Sequence, residues 1–159
     1  MDFLDVKLRG QDYRMAYMDV APVVQSNGQV VVLFHGMNFF AAAFRPTIEA
    51  LRARGFRVIA VDRLGYGRSS KPLIHYNLHI PVRNTKELLD KLGIERAAIV
   101  GHSMGGMVAT RFASTYPRTT THVVMVNQIG LTDTRHGRPW TDPELTYQSV
   151  LNTSYESVL

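Results

Sequence analysis

Residues 97–107, Ala-Ala-Ile-Val-Gly-His-Ser-Met-Gly-Gly-Met, constrain this chain more than any other stretch. They read as a short apolar strand, a sharp turn and the first turn of a helix. Gly101-His102-Ser103-Met104-Gly105 is a Gly-x-Ser-x-Gly pattern, which suits a serine held on a strained strand-to-helix bend with its hydroxyl projecting into open space. So tight a bend leaves no room for side chains two residues either side of the serine, and glycine stands at both places. Gly106 is expected to let the helix approach the sheet closely. A helix starting here leaves first-turn N–H groups without intrahelical acceptors, its positive end facing Ser103, so the Met104 N–H can stabilise an oxyanion. Met107, Val108, Phe112 and Tyr116 continue with helical spacing, and Pro117 ends the helix.

The flanking pattern fixes the kind of sheet around this bend. Residues 13–20 read as a strand. Val30–Phe34 is a continuous apolar run, as expected of a strand buried on both faces. Residues 44–54 read as an amphipathic helix, 57–61 as a strand, 82–92 as a helix stopped by Gly93, and 122–126 as the last strand. Strands alternating with helices across short connections predict an α/β fold, a mostly parallel sheet covered by helices on both faces. Ligands bind at the C-terminal ends of strands in such sheets. His35–Asn38, Asp62–Gly67, Ser103 and Asn127–Gly130 all fall at such ends. Beyond Gly130 the sheet pattern stops, with a short helix expected near 143–151. The reading divides the chain into a core over 1–130 and a lid-like segment over 131–159.

Composition narrows the classes. The chain has 159 residues, 45% of them hydrophobic and 19% charged, an ordinary globular balance. A net charge of +5 is spread along the sequence without an aromatic-interleaved basic block, which argues against nucleic-acid binding. No run approaches the roughly 18 apolar residues of a membrane span. The acids in Met1-Asp2-Phe3-Leu4-Asp5 do not suit a signal peptide, so the expectation is a cytoplasmic protein. The sequence has no cysteine, and no metal or other cofactor is expected. His75 and His79 have the i, i+4 spacing of a helical metal pair, but Tyr76 stands where the zinc-protease motif needs Glu, and Pro81 is expected to interrupt the helix.

Four segments resemble the α/β-hydrolase fold superfamily in order and spacing: Phe34-His35-Gly36-Met37-Asn38, Asp62 to Pro72, Gly101 to Gly106, and Val126 to Leu131. The resemblance covers residues 13 to 135 and is closest to small esterase-like members. It implies Ser103 as nucleophile, His35 and Gly36 shaping an oxyanion loop, Met37 and Met104 supplying its two N–H groups, and Gly101, His102 and Gly105 supporting the bend. It implies a largely structural loop over Asp62–Ser70. The family carries its acid and histidine on later strands, whereas the strand pattern here is truncated after the sixth. Asp133 and His136 are tentative substitutes, against the alternative of a solvated loop. The expected activity is hydrolysis of a small-molecule carboxylic ester. The alternatives are a non-catalytic or weakly active module, and haloperoxidase or carbon–carbon bond hydrolase chemistry. By the same resemblance, dehalogenase and epoxide hydrolase relatives place aspartate where Ser103 stands. An exposed last strand also predicts a homodimer paired through that edge. Phe39, Phe40 and Phe44 suggest an apolar acyl pocket, or equally core.

Overall fold

The computed structural model describes residues 1–132, 140–152 and 154. Six strands form one sheet in the order β1-β2-β4-β3-β5-β6: β1 is Asp2–Leu8, β2 Gln11–Val20, β3 Val30–Phe34, β4 Arg57–Val61, β5 Ala97–His102 and β6 Thr120–Val126. Strands β3 to β6 are mutually parallel, while β1 and β2 run antiparallel at one side. The helices are α1 (Arg45–Arg52), α2 (His79–Lys91), α3 (Met104–Thr115) and α4 (Pro143–Leu151).

The apolar runs of β3 and β4 are buried on both faces because successive side chains alternate between two cores. Val32, Phe34, Ile59 and Val61 join Leu88, Leu89, Val108 and Phe112 of α2 and α3. Val31, Leu33, Val58 and Ala60 meet Ile48 of α1 on the other side. Parallel strands place the ends of β3, β4, β5 and β6 along one rim, where all four polar segments emerge.

Several sequence-based expectations change. β1 was not anticipated; Leu4, Val6 and Leu8 face the core, and its register with β2 runs from Asp2↔Tyr17 to Leu8↔Gln11 across an Arg9-Gly10 turn with φ of 50° and 79°. α2 begins at His79 rather than at residue 82, because Pro81 sits in the first turn, where its missing N–H costs nothing. His75 precedes that helix, so the two histidines are not a helical pair. Beside His79 lies Arg111, its Nη2 3.3 Å from both ring nitrogens. β6 is an edge strand among the described residues, with Val123, Val124, Met125 and Val126 all exposed. No helix among the described residues is long and apolar enough to cross a membrane.

Candidate active site

Ser103 stands between β5 and α3 with φ 52° and ψ −121°, left-handed backbone that non-glycine residues rarely adopt. Its side chain makes no capping hydrogen bond to the helix it precedes, so the hydroxyl is not spent on structure. The bend is held by its own backbone: Ser103 N–H donates to Val126 O at 3.0 Å, and Gly106 N–H donates to Ser103 O at 2.9 Å. The glycines do what the motif requires. A Cβ on Gly101 would lie 2.2 Å from Gly105 O, and one on Gly105 would lie 2.1 Å from Phe34 O. Gly106 lies close against the sheet, its Cα 2.6 Å from a Cβ built on Gly101 of β5, while a Cβ on Gly106 itself would meet the Gln128 side chain in the loop after β6.

The loop after β3 packs directly on this bend. A Cβ on Gly36 would lie 3.2 Å from Ser103 Cβ and 3.0 Å from His102 Nδ1. The His102 ring is therefore placed against Gly36, and it meets Phe39 edge-on at 6.0 Å between centroids. Met104 is the first residue of α3, so its N–H belongs to the first-turn donors without an intrahelical acceptor.

His35 is buried. Its Nε2 accepts from Arg63 N–H at 3.2 Å, which leaves Nδ1–H to donate to Gly36 O at 2.7 Å. Burial, with the Arg63 charge adding to it, pulls its pKa down to about 4. It is neutral at pH 7 and occupied at both nitrogens, which suits a support and not a base. Acid should therefore destabilise the fold. Between pH 6.5 and 4 the unfolded chain binds a proton at this residue that the native state refuses, so stability falls as pH falls through that window. The shift corresponds to about 3 kcal/mol of unfolding free energy. Urea titrations from pH 7 to 4 should show this slope, and His35→Gln should flatten it.

Asp62 is buried behind the same loops. Oδ1 accepts from Ala41 N–H at 2.6 Å and Oδ2 from Arg68 N–H at 2.8 Å. Ser69 donates to the Asp62 carbonyl and accepts from Ala16 N–H, which fastens the loop to β2. The structural reading of Asp62–Ser70 therefore holds for these residues. Arg63 is the exception that sequence reasoning missed. It is 5% exposed, lies 4.7 Å over the Tyr66 ring and donates from Nη2 to Gly36 O at 3.1 Å. Burial lowers its pKa, with Tyr66 opposing.

A cavity of 590 Å³ opens beside Met104, lined by Tyr66, Tyr76, Leu78, Ile80 and Pro81 among others. The three phenylalanines near the oxyanion loop do not line it. Phe39 contacts His102, Phe40 faces a separate groove beside Asp62, and Phe44 packs in the core under α1. Asp133 and His136 lie outside the described residues. His122 pairs opposite Ala98, near the start of its strand and away from the rim.

A mostly parallel sheet that delivers a strained serine from a strand end into a helix start, under a glycine-bearing loop from the neighbouring strand, is the arrangement of the α/β-hydrolase class. A family model described as alpha/beta hydrolase fold matches residues 29–152, and the chain belongs to that family. It is similar to a "probable hydrolytic enzyme" of Pseudomonas aeruginosa, with a TM-score of 0.90 and 45% identity over 99% of this chain and 51% of that one. It is 41% identical over 92 residues to epoxide hydrolase B of Mycobacterium tuberculosis, which covers 57% of this chain and 26% of the relative. An uncharacterized protein of the same organism is 35% identical over 120 residues, covering 76% of this chain and 33% of the relative. The chain thus spans about half of the similar solved structure and a third or less of these curated relatives.

Proposed function

We propose that the chain carries the nucleophile and oxyanion portion of a serine hydrolase acting on carboxylic esters. The observation that carries the reading is Ser103 at φ 52°, uncapped and beside Gly36 at the C-terminal rim of the sheet. Ser103 Oγ bonds to the acyl carbon as its proton leaves to a base. The carbonyl oxygen becomes an oxyanion facing the Met37 and Met104 N–H groups. The C–O bond to the alcohol then breaks, the alcohol leaves with a proton, and water releases the acid from the acyl-serine. No cofactor enters these steps. His136 and Asp133, the substitute base and acid read from the sequence, lie outside the described residues, and unchanged turnover in His136→Ala would remove that pair from the mechanism.

The relative named an epoxide hydrolase makes epoxide opening the rival chemistry. A hydroxyl at the bend favours acyl transfer, because its proton must be removed as it attacks and the neighbouring amides suit a carbonyl oxygen. Incubating the full chain with a fluorophosphonate and locating the adduct by mass spectrometry tests the reading. An adduct on Ser103 with p-nitrophenyl ester turnover is expected. Diol formation from styrene oxide without an adduct would transfer the chain to the rival class, and neither reaction would leave a non-catalytic module.

A further inference from the structure

We propose that Arg63 is a positioning residue for the oxyanion hole, acting through the Gly36–Met37 peptide. The carbonyl and the N–H of a peptide unit share one plane and, in a trans peptide, point in opposite directions. No peptide bond among the described residues is cis. Fixing Gly36 O therefore fixes where the Met37 N–H points.

Gly36 O receives two donors from one side. His35 Nδ1–H reaches it at 2.7 Å and Arg63 Nη2 at 3.1 Å. Arg63 also sets the first of these. Its backbone N–H donates to His35 Nε2 at 3.2 Å, and this holds the imidazole in the tautomer whose Nδ1 carries the hydrogen. The same residue thus contributes a main-chain and a side-chain contact to one peptide, from a strand end 27 residues away in sequence.

This arrangement is costly as pure packing. Arg63 is 5% exposed, forms no salt bridge among the described residues, and its Nε is buried without a partner. Asp62, its chain neighbour, spends both carboxylate oxygens on Ala41 and Arg68 N–H groups. A buried guanidinium without a counter-ion is unfavourable unless its charge is used. Facing Gly36 O, it polarises the peptide and makes the Met37 N–H a stronger donor. The Tyr66 face, 4.7 Å away, stabilises the guanidinium where it borders the cavity beside Met104.

The inference deepens the ester hydrolase reading and rests on it for its catalytic part. The test compares wild type with Arg63→Lys and Arg63→Met, using p-nitrophenyl ester turnover and ¹⁵N relaxation of the Met37 amide. Arg63→Met should lose about 10- to 100-fold in kcat with KM within about twofold, since an oxyanion contact acts in the transition state. Arg63→Lys should lose less, because it keeps charge without the fork. Affinity for a trifluoromethyl ketone, which forms the tetrahedral adduct, should fall by the same factor as kcat. The Met37 order parameter should drop from a rigid value of about 0.85 towards 0.6. If Arg63→Met does not fold, Arg63→Lys carries both measurements. Unchanged kcat and an unchanged Met37 amide would overturn the proposal. A wild type inert to esters, with Met37 still loosened in the variants, would overturn the hydrolase reading and leave the anchoring intact.

Discussion

Ser103→Ala is expected to lower ester turnover by at least about 10³-fold while the fold and its melting temperature are kept. The variant removes the one atom that bonds to the acyl carbon. Everything that shapes the bend remains, because the backbone contacts to Val126 and Gly106 do not involve the side chain. The two amides would still hold a carbonyl oxygen, so substrate affinity should change little and the loss should fall on kcat. Ser103→Gly gives a second arm. Glycine accepts φ 52° without the steric penalty of a Cβ, so this variant should be as inactive as alanine yet more stable, by about 1 kcal/mol. Stability moving up while activity vanishes would mark the strain as belonging to the site. Retained turnover in either variant would remove Ser103 from the mechanism.

Much of this arrangement was legible because local sterics dictate it. Gly101 and Gly105 are forced by atoms within the same strand–helix turn and the adjacent strand end, and a pentapeptide pattern carries that information. β3 and β4 were legible because burial on both faces leaves an uninterrupted apolar run. β1 also leaves a signal in the sequence: Leu4, Val6 and Leu8 alternate with polar residues and are followed by Arg9-Gly10, a hairpin turn. Arg63 carried none. Its meaning comes from the approach of two loops that leave neighbouring parallel strands, and nothing near residue 63 reports that approach. The lining of the cavity by Met104 was not legible for a related reason. Aromatic residues close in sequence to the oxyanion loop turned elsewhere, while Tyr66 and Tyr76 arrive from a different connection. Proximity along the chain is a poor guide to which ring lines a site at a sheet rim.

Gly105→Ala should be, with Gly101→Ala, among the most damaging added methyl groups within the described residues. Its Cβ would lie 2.1 Å from Phe34 O, 2.6 Å from His35 O and 2.7 Å from Phe34 C, all backbone atoms of β3 and the loop it feeds. No rotamer relieves such a clash, so either α3 or the end of β3 must move, at a cost of about 3–5 kcal/mol. That is a large part of a typical stability of roughly 5–15 kcal/mol. Two other glycines calibrate the expectation. Gly93 has φ 66° and open space around a built Cβ, so Gly93→Ala should cost only about 1 kcal/mol of backbone strain. At Gly106 the nearest atoms are Gln128 Cβ and Cγ, both at 2.8 Å. Cβ is fixed to the backbone, so the loop after β6 must shift, and this outweighs the about 1 kcal/mol a helix gains from Gly to Ala. Urea unfolding midpoints should therefore place Gly106→Ala between Gly93→Ala and Gly105→Ala. Should Gly105→Ala prove as mild as Gly93→Ala, the bend is not held against β3, and Ser103 loses the rigid backing on which attack at an acyl carbon depends. A folded Gly105→Ala that nonetheless loses turnover would show the opposite: the methyl displaces His35 O, and with it the loop that carries the Met37 amide.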